Sequence, residues 1–251
     1  MLGELPMAER FAAAREAGFD GLDMRGDELA PIVAEVRALT ERTGLKVPTV
    51  YGRVTTPLVA DRETDRAAAM ATVRRRLDDA ARVGAENVIV VPVFGEARLR
   101  LDWPGGVEEA ELALLAIELA ELAESAAERR VRIVLEPLNR SETHLLRSAA
   151  VAADVARRVG SEWIATMVDS YHMDLEGQDP VREVSAAGDR LQLVHLSDRD
   201  RKLPGQAGID FAPLLRALRE RHYDGYCGFE CSGPFDVEDL AASVAFVRRS
   251  A

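Results

Sequence analysis

The sequence predicts an α/β barrel of the TIM (β/α)8 type that lacks its first strand. Three observations carry this. Short apolar runs alternate with stretches of helical periodicity along all 251 residues. The runs are too apolar for strands with one wet face, which points to a parallel sheet covered on both sides. No Ser/Gly/Pro-rich linker interrupts the alternation, so residues 1–251 are expected to form one barrel domain. A doubly wound open sheet is the competitor, but it usually carries a Gly-rich turn after its first strand, and no GxGxxG occurs here.

Taken in order, the expected strands are "FDGLDM" (19–24), "LKVPTVY" (45–51), "NVIVVPV" (87–93), "VRIVLE" (131–136), "WIATMVD" (163–169), "LQLVHLS" (191–197) and "YCGFE" (226–230). Each is short and either β-branched or apolar. Eight helices are expected around them. The first runs from Leu5 and Pro6, where proline's missing N–H does no harm. Next come "LAPIVAEVRALTERTG", "RETDRAAAMATVRRRLDDAARVGA" and "VEEAELALLAIELAELAESAAERR". The last four are "SAAVAADVARRVG", "DPVREVSAAG", "FAPLLRALRERHY", which Asp210 is placed to cap, and "VEDLAASVAFVRRS". Gly18, Gly44, Gly84 and Gly160 follow helix ends, as C-terminal caps do.

Composition excludes several classes. The net charge is −11, which disfavours nucleic acid and anionic membrane surfaces, both of which reward Lys and Arg. No apolar run approaches the ~18 residues of a membrane span. Residues 1–10 lack the basic start and apolar core of a signal peptide. The two cysteines, Cys227 and Cys231, have no partners for a structural zinc site, so a reduced, cytoplasmic setting is expected.

Barrel enzymes place their chemistry at the C-terminal strand ends. Those ends carry Glu136, Asp169, His195 and Glu230. A lone strand-end Glu is usually a cap or a surface charge, and a lone His usually a satisfied polar group. Four ligand types on four neighbouring strands would face one another across one mouth. Their mutual repulsion calls for a cation. Three carboxylates and one imidazole suit Mn²⁺ best, with Co²⁺ or Mg²⁺ as alternatives, over a thiolate-seeking zinc.

The stretches "LEPLNRSETH" (135–144), "VDSYHMD" (168–174), "HLSDRDRKLPGQAGIDF" (195–211) and "GFE" (228–230) resemble the sugar isomerase/epimerase superfamily of xylose-isomerase-like barrels. Within it they are most similar to the D-tagatose/D-psicose 3-epimerases. The resemblance implies a metal-dependent epimerase inverting carbon 3 of a free ketose. It implies that Glu136, Asp169, His195 and Glu230 hold the metal, and that Glu136 and Glu230 are also the acid/base pair. It further implies that Glu142, His172 and Arg201 hold oxygens at the carbonyl end of the substrate.

The chemistry of the residues agrees with this reading. Epimerisation beside a ketone removes a proton from one face of a carbon and returns one to the other. That takes two bases flanking a planar enediolate, and the fifth and eighth strands of a barrel lie nearly opposite. Tyr51 and Arg53 at the end of the second expected strand, Phe94 after the third and Trp103 in the loop beyond it are candidate pocket walls. His144 and His222 are left without a site role. Three other readings stand beside the epimerase: a keto–aldo isomerase of the hydroxypyruvate-isomerase kind, an enediolate-forming lyase on keto-glycosides, and a non-catalytic sugar-binding barrel. An apurinic endonuclease of related fold would need more His than the four present, and a basic groove.

With no strand ahead of residues 19–24, a seam is expected between that run and 226–230. Unpaired edges are usually covered. The cover is expected from the first residues, from residues 232–235 or from a partner chain, and a homo-oligomer is expected for the same reason.

Overall fold

Alternating side chains along each strand serve two apolar layers, one inside the curved sheet and one beneath the helices. The computed structural model describes residue 2, residues 5–100 and residues 105–250. Seven parallel strands follow in chain order: β1 Met24–Arg25, β2 Thr49–Tyr51, β3 Asn87–Val90, β4 Arg132–Leu135, β5 Ile164–Asp169, β6 Leu191–Leu196 and β7 Tyr226–Phe229. Six lie within their expected runs, and β1 overlaps its run only at Met24. The eight expected helices are also present: α1 Met7–Glu16, α3 Val33–Thr43, α4 Glu63–Val83, α5 Gly106–Arg129, α6 Ala149–Val159, α8 Pro180–Ala187, α9 Ala212–Glu220 and α10 Val237–Ser250. Two short ones went unforeseen, α2 Gly26–Leu29 and α7 Ser170–Glu176.

Ile89, Val134, Ala165, Met167 and Leu193, with Tyr226 against them, form a cluster of their own. These are the alternate residues of β3 to β7 and fill the barrel interior. The opposite parity, Val88, Val90, Ile133, Leu135 and Ile164, joins Leu77, Leu119 and Val155 from the surrounding helices. Val168, Val194 and Leu196 pack with Val184, Leu214 and Leu218 in the same way. Each fully buried aliphatic side chain contributes ~1.5–3 kcal/mol. Asp210 caps as expected, its Oδ1 accepting the Ala212 N–H at 3.0 Å, one residue ahead of the helix boundary. Gly84 and Gly160 end α4 and α6 at φ 77° and 75°, the left-handed region glycine enters freely.

Among the described residues β1 and β7 are the edges of the sheet and do not pair. The seam is covered from outside. Phe19 and Phe229 meet across it edge-to-face at 5.2 Å. Leu2 and Phe235 pack with Ala17, Leu203 and Leu240 over the same place. Inside the seam lies a cavity of ≈ 720 Å³, lined among others by Asp23, Tyr51, Pro48, Tyr226, His195 and Glu230.

Candidate active site

Alternation along the strands explains how the polar cluster is assembled. Glu136 lies two residues beyond Val134, Asp169 two beyond Met167 and His195 two beyond Leu193. Glu230 lies four beyond Tyr226. Each is therefore the next inward position above the apolar floor. Register keeps them level: Asp169 pairs with His195, and His195 with Gly228. Gly228 has to be small. A Cβ there would lie 3.2 Å from Asp23 Oδ2 and 3.4 Å from the His195 ring.

One ligand-type atom from each of Glu136, Asp169, His195 and Glu230 lies within 4.8 Å of the others. His195 Nδ1 is 3.6 Å from Glu136 Oε1, 3.8 Å from Asp169 Oδ2 and 3.4 Å from Glu230 Oε2. Glu136, Asp169 and His195 are buried, while Glu230 opens towards the seam cavity. Buried polar atoms are normally satisfied. Here Glu136 Oε1 and His195 Nδ1 have no hydrogen-bond partner, and Glu230 Oε2 has only its ion pair with Arg201 Nη1 at 2.7 Å. Two orphaned ligand atoms among four gathered on one point are what a divalent cation takes up, so the residues fit such an ion.

The electrostatics show the same crowding. Burial pushes the Glu136 carboxyl up to about 7, helped by the charge of Glu230 and opposed by His195. Burial also raises Asp169, against the pull of Arg201. Burial works against a charged His195, but Glu230 and Glu136 outweigh it and hold the ring well above its ordinary range. Burial would raise Glu230 too, but His195 and Arg201 hold it below the usual carboxylate range.

Asp169 divides its two oxygens. Oδ1 accepts the Tyr171 N–H at 2.7 Å and that of His172 at 3.4 Å, capping α7. Oδ2 faces the cluster and accepts from Arg201 Nη1 at 2.9 Å. An aspartate at a strand end followed by a polar turn is an N-cap signal, and it would have revealed α7 from the sequence.

His172, Arg201 and Glu142 meet beside the cluster. The Asn139 N–H donates to His172 Nδ1 at 3.2 Å, which leaves the proton of the neutral ring on Nε2. Burial keeps the ring below its ordinary pKa, against the pull of Asp169. Arg201 Nη2 stands 2.9 Å from that Nε2, so two donors confront each other. An acceptor oxygen placed between them would satisfy both. The Asn139 amide also donates to Glu142 Oε1 at 2.7 Å, and that carboxylate lies 3.9 Å from His172 Nδ1. The Arg201 guanidinium lies over the Tyr171 ring at 4.1 Å.

Several participants were not foreseen. Asp23, the residue before β1, points at the interior; burial pushes its carboxyl up to about 6, opposed by His195 and by its bond to Thr49. It shares the inward parity of Gly21 and would have emerged had the first strand been read by alternation rather than from its last residue. His144, unassigned from sequence, joins two loops: Nδ1 meets the Gly95 carbonyl at 2.8 Å and Nε2 the buried Glu111 carboxylate. Of the expected walls, Tyr51 is exposed at the cavity and Arg53 stacks on Phe94 at 4.7 Å. Trp103 lies outside the described residues.

Comparison with known proteins follows the geometry. A 3-dehydro-D-guloside 4-epimerase from Escherichia coli is 29% identical over 236 residues, 93% of this chain and 89% of that protein. The structure of a 3-keto-D-glucoside 4-epimerase from E. coli superposes with a TM-score of 0.87 at 27% identity, covering 98% of this chain and 96% of that one. A D-psicose 3-epimerase from Enterocloster bolteae is 35% identical over 107 residues, which is 43% of this chain and 36% of that protein. The family model described as "Xylose isomerase-like TIM barrel" matches residues 11–250, and this chain belongs to that family.

Proposed function

We propose that this chain is a metal-dependent sugar epimerase that inverts the carbon beside the ketone of a keto sugar. The observation that carries this is the pair of carboxylates Glu136 and Glu230, one residue past β4 and β7, within one cluster of four ligand-type side chains. Glu136, Asp169, His195 and Glu230 are the residues that would hold a divalent cation, Mn²⁺ before Co²⁺ or Mg²⁺ on the oxygen-rich donor set. The cation would serve as a Lewis acid that makes the carbon-bound proton acidic.

Everything else falls to the side chains. One of Glu136 and Glu230 takes the proton from its face of the substrate carbon, leaving a planar enediolate. The other returns a proton to the opposite face. Among the protein's own charges the two carboxylates are unequal, Glu136 pushed up to about 7 by burial and Glu230 held low by His195 and Arg201, and a bound cation would favour the ionised form of both. His172 Nε2 and Arg201 Nη2 donate to a substrate oxygen between them. Glu142 accepts from a hydroxyl. Burial of Glu136, Asp169 and His195 keeps bulk water from the planar intermediate.

Two substrates suit this chemistry. A free ketose has its ketone at carbon 2 and would be inverted at carbon 3. A keto-glycoside with its ketone at carbon 3 would be inverted at carbon 4. The second is favoured by one observation: the similar guloside 4-epimerase is matched along nearly the whole chain, the psicose 3-epimerase along less than half. Incubation with a ketose panel and with methyl 3-keto-glucoside in heavy water, read by NMR, decides. Deuterium at carbon 3 of an inverted ketose supports the first substrate, and deuterium at carbon 4 of an inverted glycoside the second. Deuterium at carbon 1 with an aldose product, loss of a substituent, or no exchange would each replace the epimerase reading.

A further inference from the structure

Asp198 lies two residues past β6, is fully buried, and makes no contact with the four candidate ligands. Its carboxylate is taken up by backbone. Oδ2 accepts the N–H groups of Gly205 at 3.1 Å, Ala207 at 2.8 Å and Gly208 at 3.2 Å. Oδ1 accepts those of Arg199 at 2.9 Å and Ile209 at 2.8 Å. Together they use the acceptor sites an ionised carboxylate offers. A buried carboxylate without a paired cation is costly unless such hydrogen bonds surround it. The loop from 198 to 209 is thereby closed on a single side chain.

That loop carries Arg201 in an unfavourable conformation. Asp200 and Arg201 both have φ 56°, left-handed values that L-residues rarely adopt in succession. Surrounding hydrogen bonds hold them there. The Asp198 N–H donates to Lys202 O at 2.9 Å, and the Ser232 N–H to Arg201 O at 2.7 Å. The result is a guanidinium turned inwards, onto Asp169 Oδ2 at 2.9 Å and His172 Nε2 at 2.9 Å.

We propose that Asp198 is a positioning residue for Arg201: by gathering the loop amides it fixes the backbone turn that aims the guanidinium at the substrate oxygens. The proposal rests on the reading that Arg201 meets substrate. A carboxylate suits the task because one rigid group can close five amides, which no single backbone carbonyl can.

The test is Asp198→Asn in the full chain loaded with Mg²⁺. The amide keeps the shape but turns an N–H₂ towards amides that need an acceptor. Amides of 199, 205 and 207–209 are expected to exchange roughly tenfold faster or more, with the rest unchanged. The Arg201 Nη–H resonance held by the bond to Asp169 Oδ2, read by nitrogen-15 NMR, is expected to be lost. On whichever probe the wild type turns over, D-psicose or methyl 3-keto-glucoside, KM should rise about tenfold with kcat within about threefold. In an Arg201→Ala background the same change should add less than about twofold, because both act on one contact. Asp198→Glu, which keeps the charge, should recover part of the loss and serves if the Asn variant does not fold. An unaltered Arg201 resonance, or effects that add in the double variant, would overturn the proposal. If the wild type acts on neither sugar, the functional reading falls, while the resonance still decides where Arg201 is held.

Discussion

The two sides of the barrel differ. β4 to β7 are four to six residues long and carry all four ligand-type residues at their ends. β1 and β2 are two and three residues long, carry none of the four, and border the seam cavity. β4 to β6, paired on both sides, fix the directions of Glu136, Asp169 and His195, and β7, paired with β6 alone, brings Glu230 to the seam. Short strands beside an open seam leave room. The rigid side thus holds the reacting groups, and the open side shapes what may lie against them.

The largest effects should come from the rigid side. Chelation should abolish turnover, and Mn²⁺ should restore it; activity in metal-free protein would remove the cluster from the mechanism. Glu136→Gln and Glu230→Gln should each lower kcat by ~10²–10⁴-fold, the range for one general acid or base. A Glu230→Gln enzyme with near wild-type turnover would break the two-base scheme. Arg201→Ala should weaken substrate binding by about 1.5–3 kcal/mol, the scale of a hydrogen bond to a charged group, and a titration of KM reads it.

Hydrogen exchange compares the two sides directly. Amides of β4 to β6 should be protected close to the global limit, and those of β1 and β2 should exchange by local opening. Equal protection would erase the distinction. Acid should loosen the Asp198 loop. Burial alone would raise that carboxyl, but the amides of Ala207, Ile209, Arg199 and Gly205 outweigh it and hold it low. Its stabilisation is therefore full above the unfolded value of about 3.9 and is lost as pH falls through the lower folded value. Proteolysis within 199–209 as pH drops from about 5 to about 3 checks the sign. The smallest effect is expected on the open side. Tyr51→Ala should alter the preference between ketose and glycoside by a few-fold and leave bound metal unchanged, as metal analysis would show.

Much of this was legible in the sequence because it is local. Apolar runs bounded by Gly and polar residues give the strands, and their last residues give Glu136, Asp169, His195 and Glu230. The remainder depends on contacts between distant segments. The bond from His144 to Glu111 spans 33 residues, and nothing near either residue marks it. Asp198 gathers amides as far as Ile209, through a loop whose sequence shows glycine turns but not their shared acceptor. Asp23 escapes for a different reason: the run 19–24 ends on Met24, and the inward carboxylate lies one residue before that end. The seam was anticipated, and so was cover from the first residues and residues 232–235, here Leu2 and Phe235.

The order of the sheet also bears on how the chain folds. Every described strand pairs only with its neighbour in sequence, so each can dock as soon as the preceding one is in place. A sheet closed edge to edge would hold its last pairing until the first and last strands met, at the entropic expense of a very long loop. Here that final meeting falls to a few contacts such as Arg248 with the Gly18 carbonyl, 230 residues apart. Synthesis from the N-terminus delivers the strands in the order in which they pair. The residues of the proton-transfer site lie at 136, 169, 195 and 230, so the cluster is completed only by the last strand, once the scaffold that must hold its charges already stands.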